Sequence, residues 1–341
     1  MTPLEQITLK NKVNKIITAY KKYKSRNSTY SQYTNDNITT DKTASGIEYI
    51  GGRDSSGRMQ GFGIRKMREG SKFRGIFEND KANGWGIYEH KEGDIYRGHY
   101  ENDRSNGYGE YLHGNGAIYY GYWIDDMQFG IGYEIWSDSS KYSGEYNNGK
   151  KHGIGEYLWQ DGTKYIGEWK LNNLEGFGIY NYLDGKRYAG EWKNNQMNGY
   201  GEFIWVDGKK YIGYYKNDKK EGFGIYSWPN NKFFVGFWKE GRQNGVGKYI
   251  KGDVNLYGIW KDGKRQKWFE NEDEFINYLD PSDEKYAPFF QIGKNQLKKY
   301  MDLIENDDEN DEYKDNNKIY NRKIIKSGKK SKRKKYDDEE E

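Results

Sequence analysis

The sequence has no cysteine, only four prolines and four histidines, and no long apolar run. Without cysteine there is no disulfide, no thiolate zinc site and no cysteine nucleophile, which suits a reducing compartment. Nothing approaches the roughly 18 apolar residues of a membrane-spanning helix. The opening MTPLEQITLKNKV lacks the apolar stretch of a secretory signal, so a cytoplasmic protein is expected. Aliphatic side chains are also scarce. Hydrophobic residues are 34% of the chain, and aromatics, at 17%, supply half of them. A large two-layer aliphatic core is therefore not expected.

Glycine and tyrosine are abundant, at 44 and 34 of 341 residues. The glycine share is well above the usual value of about 7%. So little proline argues against collagen, and so many rings argue against featureless disorder. The net charge of +4 is unevenly placed: +5 in residues 1–45, +1 in 46–263 and −2 in 264–341. A nearly neutral middle makes a poor nucleic-acid groove, whose affinity comes largely from phosphate neutralisation. No nucleic-acid partner is expected, and any attraction for anionic lipid should lie in the flanks.

The middle of the chain is periodic. Gly-x-Gly pairs recur every 23 residues, nine times. They are Gly61 and Gly63, Gly84 and Gly86, Gly107 and Gly109, Gly130 and Gly132, Gly153 and Gly155, Gly176 and Gly178, Gly199 and Gly201, Gly222 and Gly224, Gly245 and Gly247. A second glycine series runs in phase from Gly52 to Gly236, with aromatics two residues before and two after most members, as in Tyr165-Gly167-Trp169 and Tyr188-Gly190-Trp192. Spacing by two puts Tyr165, Gly167 and Trp169 on one face of a strand. An Asn-rich turn, Leu171 to Leu174, leads to a second strand with Gly176, Gly178, Tyr180 and Tyr182 on one face. Asp184-Gly185 then makes a hairpin turn. Each unit reads as a β-hairpin in which every glycine leaves a slot for a neighbouring ring, with aromatic area replacing an aliphatic core.

No chemistry emerges from these columns. The Gly-x-Gly pairs lie mid-strand, without the GxGxxG or GK[ST] context of a phosphate loop. His90 and His113 fall in the column that elsewhere holds Trp136, Trp159, Tyr182 and Trp205, so they read as packing residues, not metal ligands. Acidic residues sit in periodic turn or surface columns and give no unique acid–base pair. No catalysis, metal or cofactor is expected.

The repeat closely resembles the MORN (membrane occupation and recognition nexus) motif over roughly residues 50–263. YxGxW, a short turn, GxG, an aromatic and a DG turn carry the match. Two departures stand at the ends. Asp54 replaces the second aromatic of the first unit, and Leu256, Gly258, Trp260 and Gly263 come one residue early with no GxG after them. Both read as caps, because solenoid ends need a different outer surface. The resemblance implies an all-β repeat fold, a single-layer antiparallel β-meander of 23-residue hairpins with short flanking helices. It also implies scaffolding, dimerisation or membrane-proximal attachment rather than catalysis. Nine two-stranded units would make a rod of roughly 85 Å.

Lys170, Lys193, Lys216, Lys239 and Lys261 recur one position after the second aromatic. They could form a basic stripe for anionic headgroups. Glu145, Glu168 and Glu191, two residues earlier on the same face, are expected to cancel that charge and leave a solvated mixed face.

The flanks differ from the repeats. Residues 1–26 carry seven basic and one acidic side chain, with Ile7, Val13, Ile16, Ile17, Tyr20 and Tyr23 at helical spacing. Within this basic amphipathic helix, Ile16, Lys21 and Arg26 resemble a degenerate IQ motif. Ile17 stands where Gln is expected and Lys22 where Gly is common. The resemblance implies a calmodulin-like light chain, and the alternative is docking on the protein's own sheet or a basic surface helix. Residues 27–45 read as a flexible linker. Residues 264–305 read as a helical cap over the last repeats, with a short helix through Trp268, Phe269, Phe275, Ile276 and Leu279 stopped by Pro281. A second stripe follows at Leu297, Tyr300, Met301 and Ile304. Residues 306–341 read as a disordered charged tail, a basic run from Lys326 to Lys335 preceding acidic Asp337 to Glu341. That run suits a targeting signal or a solubilising tail.

The function expected from these features is a non-catalytic adaptor. It would hold protein partners, a second copy of itself among them, along a rigid rod in a cytoskeletal, ciliary or cortical assembly. The alternative is a membrane-associated phosphoinositide-binding module or a regulator of a phosphoinositide kinase.

Overall fold

The computed structural model describes residues 39–44 and 46–291. The chain divides into two units, Met1–Phe275 and Ile276–Glu341. The first contains a single 21-stranded antiparallel sheet. Each strand pairs with the next in sequence, from Thr39–Lys42 to Lys264–Trp268, as expected for a meander. The sheet is open, and its strands lie in one layer.

One unit shows how the sequence builds it. Strand Lys164–Lys170 pairs with Asn173–Asn181 in a register that sets Tyr165 opposite Tyr180 and Gly167 opposite Gly178. The Tyr165 ring lies flat across that glycine pair. A Cβ on Gly167 would stand 2.6 Å from Tyr165 Cζ and 2.5 Å from the Cα of Gly178. The ring therefore fills the volume that two side chains would need, and its hydroxyl donates to the Glu168 carbonyl at 2.9 Å. Trp169 stands edge-on to it at 5.3 Å and Trp192 of the next unit at 5.7 Å. Trp169 Nε1 donates to the Gly155 carbonyl at 3.2 Å. Tyr119, Tyr142, Tyr165, Tyr188 and Tyr211 are all fully buried in this way. Edge-to-face rings at such spacings add to the burial term, so the core is a continuous aromatic seam along one face.

The two glycines of each Gly-x-Gly pair do different work, which corrects the expectation that both make slots. The second glycine makes the slot: Gly86 lies beneath the Phe73 ring, Gly109 beneath Tyr96, Gly178 beneath Tyr165 and Gly201 beneath Tyr188. The first does not. Gly84, Gly107, Gly176 and Gly199 have φ of +99°, +96°, +59° and +108°. In each of these hairpins the register slips just after the facing glycine, Gly75, Gly98, Gly167 or Gly190, so a bulge forms there. A positive φ is the conformation that favours glycine, and the extra residue of a bulge demands it.

Two kinds of turn close the hairpins. The Asn-rich turn is a two-residue one: Leu171 and Asn172 both have positive φ, which matches the right-handed twist of paired strands. Its second residue also braces the neighbouring hairpin. Asn195 Oδ1 accepts the Leu174 amide at 2.7 Å, and the Asn195 amide donates to the Leu174 carbonyl at 3.1 Å. The same contact recurs at Asp80, Asp103, Asp126, Asn172 and Asp218. Asp and Asn suit this place because a short side chain with an acceptor both tolerates the left-handed region and reaches the next strand; Gly149 and Gly241, in the same column, keep only the backbone bond, to the Gln128 and Lys220 carbonyls.

The ends differ from the sequence reading. In the first unit Gly51, not Gly52, faces Gly63 beneath the Tyr49 ring. Arg53 takes the place of the second aromatic, its guanidinium 5.1 Å from the Tyr49 centroid. The sheet also runs past both boundaries. Thr39–Lys42, within the segment read as linker, pairs with Glu48–Arg53. Trp268 ends the last strand rather than opening a helix, and its ring meets Trp260 edge-on at 5.5 Å over Gly258. The helix is Glu272–Tyr278, whose Phe275 packs against Tyr257 at 4.9 Å and Phe269 at 5.4 Å.

In the second unit, the Asp280 carboxylate accepts the Ser282 amide at 2.9 Å around Pro281. The 3-10 turn Glu284–Tyr286 and the helix Ala287–Gln291 follow. The stripe Leu297, Tyr300, Met301 and Ile304, the tail, and the N-terminal residues 1–38 lie outside the described residues.

Candidate functional site

The aromatic face carries a groove. One wall is the second-aromatic column, Tyr146, Trp169, Trp192, Tyr215 and Trp238. The other is a double column in which each outer ring leans on an inner one: Trp159 on Tyr157 at 4.5 Å, Tyr182 on Tyr180 at 4.6 Å, Trp205 on Phe203 at 4.5 Å. His90 on Tyr88 at 4.5 Å and His113 on Tyr111 at 4.6 Å take the same place, so these histidines are packing residues.

The floor between the walls is Lys151, Leu174, Met197 and Lys220, one from each successive hairpin. Four rings converge on each floor lysine. Lys220 Nζ lies 4.6 to 5.3 Å from the centroids of Trp205, Tyr211, Tyr226 and Trp238. Lys151 Nζ lies 4.8 to 5.9 Å from those of Trp136, Tyr142, Tyr157 and Trp169. Ring quadrupoles attract an ammonium at such distances, but burial removes its water. Desolvation pushes the Lys220 amine down to about 8. It also lowers the Lys151 amine, partly offset by Glu134. Glu134 stands where the hairpins on either side have Tyr111 and Tyr157. Burial raises its carboxyl, against a hydrogen bond from the Tyr146 hydroxyl at 2.7 Å and the charge of Lys151.

Beside Lys151 the groove opens into a cavity of about 610 Å³, lined among others by Trp159, Leu174, Tyr180, Tyr182, Trp192 and Met197. It offers apolar ring faces together with one ammonium, Lys151, one carboxylate, Asp218, and the amides of Asn172 and Asn195. That arrangement can hold a chain segment with apolar side chains flanked by polar ones.

The opposite face holds the bulges and the lysine column. Glu168 Oε1 accepts the Phe177 amide freed by the bulge at 2.8 Å, and Glu191 does the same for Tyr200 at 3.0 Å. Glu145 accepts the Ile154 amide at 3.3 Å. These carboxylates cap backbone, so the local pairing with Lys170 and Lys193 expected from sequence is not what orients them. Lys170, Lys193, Lys216, Lys239 and Lys261 are all exposed on this face, away from the groove. Ile16, Lys21 and Arg26 lie outside the described residues. Among the described residues, no group of three or more His, Asp or Glu could hold a metal ion, and no helix is long and apolar enough to cross a membrane.

Sequence reasoning missed the groove floor. Its column holds Ala82, Ser105, Gln128, Lys151, Leu174, Met197, Lys220 and Gln243, a mixture with no compositional signature. The available signal was parity: each of these residues is four before the slot glycine and so faces the rings.

The MORN repeat family matches seven consecutive stretches: residues 96–118, 119–141, 142–164, 165–187, 188–210, 211–232 and 234–253. Hairpins ahead of this region, from Glu48, carry the same ring-over-glycine geometry. No curated protein matches the sequence. Among solved structures, the TCP domain of Drosophila melanogaster SAS-4 in complex with a proline-rich motif of Ana2 is 12% identical, with 55% of this chain and 97% of that one covered and a TM-score of 0.29. The TCP10c domain of Drosophila melanogaster Sas-4 is 11% identical over 60% and 100%, with a TM-score of 0.22. A streptogramin B lyase is 12% identical over 70% and 84%, with a TM-score of 0.14. Likenesses this slight carry no functional argument.

Proposed function

We propose that this MORN repeat protein is a non-catalytic scaffold. It holds a protein partner in the aromatic groove, within a cytoskeletal, ciliary or cortical assembly. The observation that carries this reading is the open groove itself. The slot rings of the face are closed over by their neighbours, whereas Trp159, Tyr180, Tyr182 and Trp192 border an open cavity that Lys151 and Asp218 also line. Large rigid rings bind at low entropic cost, and aromatic anchors dominate protein interfaces. The test is affinity capture from the native cells with full-length protein and a Trp159→Ser/Tyr182→Ser variant that melts as the wild type does. Chains retained by the wild type and lost by the variant are the expected result. An unchanged set of captured chains would refute the reading.

A second reading, a module on anionic membranes or one that regulates a phosphoinositide kinase, is favoured by the five exposed lysines on the opposite face. Alternate strands place successive lysines about 10 Å apart, within reach of neighbouring lipid headgroups. Co-sedimentation of the full chain with phosphatidylserine and phosphoinositide vesicles separates the two. Binding that survives the groove variant but falls with Lys170→Glu/Lys193→Glu would support the membrane reading.

A further inference from the structure

One hairpin breaks the pattern of the lysine face. In the strands Ile118–Ile124 and Met127–Ile135, Tyr122 faces Phe129 and Ile124 faces Met127 across the ladder. Ile131 extends the group. All five are exposed, from 38% to 46%. The equivalent residues in the next two hairpins are Glu145, Asn147, Lys150 and His152, then Glu168, Lys170, Asn173 and Glu175. Only in this hairpin are all four apolar. The patch is therefore a local feature, and a cluster of large apolar side chains in water calls for a cover.

Charge identifies the cover. Around the patch the strand pairings place Glu101, Asp125, Asp126 and Glu145, against Arg104 and Lys150. Arg104 is already paired with Asp125 at 3.1 Å. The surround is acidic, and the chain has one strongly basic segment with a matching apolar stripe, residues 7–23. Val13, Ile16, Ile17, Tyr20 and Tyr23 recur at the 3-4 spacing of a single helical face, among Lys10, Lys12, Lys15, Lys21 and Lys22. As a helix, residues 13–23 would be about 16 Å long, enough to cross the two strands that carry the patch. Reach is sufficient. The strand Thr39–Lys42 lies seven strand spacings from Ile118–Ile124, about 34 Å at 4.8 Å each. Residues 24–38 can extend to roughly 50 Å.

We propose that residues 7–23 of the same chain dock on the Tyr122, Ile124, Met127, Phe129 and Ile131 patch. The stripe covers the apolar side chains, and the lysines face the surrounding carboxylates. The segment that resembles a light-chain motif is then held by the sheet, and a light chain would have to displace it.

The absence of cysteine makes the test clean. In full-length Ile16→Cys/Ile124→Cys, two thiols are the only ones present, and diamide oxidises them to a disulfide while being reduced to its hydrazine. The control is Ile16→Cys/Glu78→Cys. Glu78 is in the same column two hairpins nearer the N-terminus, so tethering alone would favour it. A monomeric disulfide forming at least tenfold faster at Ile124 than at Glu78 is expected. Equal or slower formation, or a disulfide-linked dimer showing that a second copy covers the patch, would overturn the proposal. Hydrogen exchange on cysteine-free protein gives an independent reading. Amides of residues 13–23 should exchange at least tenfold faster in Tyr122→Ser/Phe129→Ser than in wild type, and equal rates would also overturn it.

Discussion

The ring of Tyr165 occupies the place where a side chain on Gly178 would be, and it does so from the neighbouring strand. A Cβ on Gly178 would overlap the Tyr165 hydroxyl, Cε2 and Cζ. The same relation joins Phe73 to Gly86, Tyr96 to Gly109, Tyr142 to Gly155 and Tyr188 to Gly201. Each repeat is thus locked by one ring in one slot.

Gly178→Ala should therefore destabilise the protein. The obstacle is a buried ring clamped between Trp169 and Trp192, which cannot move aside without breaking both contacts. Overpacking of this kind costs about 1–3 kcal/mol. Gly162→Ala, at a turn glycine whose nearest neighbour is 3.7 Å away, meets only backbone strain and should cost about 1 kcal/mol. Thermal melting of the two variants checks the order.

The turn braces give a second expectation. Asn195→Ala removes the acceptor for the Leu174 amide at 2.7 Å and places alanine at φ +66°. A loss of about 1–2 kcal/mol is expected from the unmade hydrogen bond and the strained backbone together. Asn195→Asp should lose less than Asn195→Ala: it keeps the acceptor, as Asp218 does one hairpin later at 2.8 Å, and gives up only the exposed hydrogen bond from Asn195 Nδ2 to Asn173 Oδ1. Melting of Asn195→Asp as low as that of Asn195→Ala would refute the brace.

Glu168→Ala should act locally. It uncaps the Phe177 amide at the bulge without touching the ring seam. Hydrogen exchange at Phe177 should rise several-fold while amides of the slot strands change little. Equal exchange before and after substitution would show that the bulge holds without its carboxylate.

Lys220 carries a pH signature. Its amine ionises near 8 in the folded chain, below the ordinary lysine value of 10.5. Between these values the unfolded state binds more protons, so this group makes stability rise with pH across that window. Below 8 both states are charged, and the folded state bears the full desolvation cost. Lys220→Met, with the side chain that Met197 contributes one hairpin earlier, should melt higher than wild type at pH 7. The difference should shrink from pH 8 toward pH 10. Denaturant titrations at both pH values check the sign, and a gap that widened with pH would contradict it.

Much of this molecule was already determined by the sequence. The 23-residue period, the alternation of rings with glycine and the Asp-Gly and Asn-rich turns specify an antiparallel meander, because each of those signals acts between residues close in the chain. The split role of Gly176 and Gly178 was not legible, nor that of Gly84 and Gly86 or Gly107 and Gly109. Both members of a pair are glycine, and only the register, as of Lys164–Lys170 against Asn173–Asn181, decides which lies under a ring and which bends the strand. The one-residue offset at Gly51 was hidden for the same reason, since a neighbouring Gly52 keeps the period intact. The groove floor needed more still. Lys151 and Lys220 are ordinary lysines in sequence, alike in type to exposed Lys170. What sets them apart is four rings from different hairpins converging on one ammonium, and such convergence exists only once the strands are stacked.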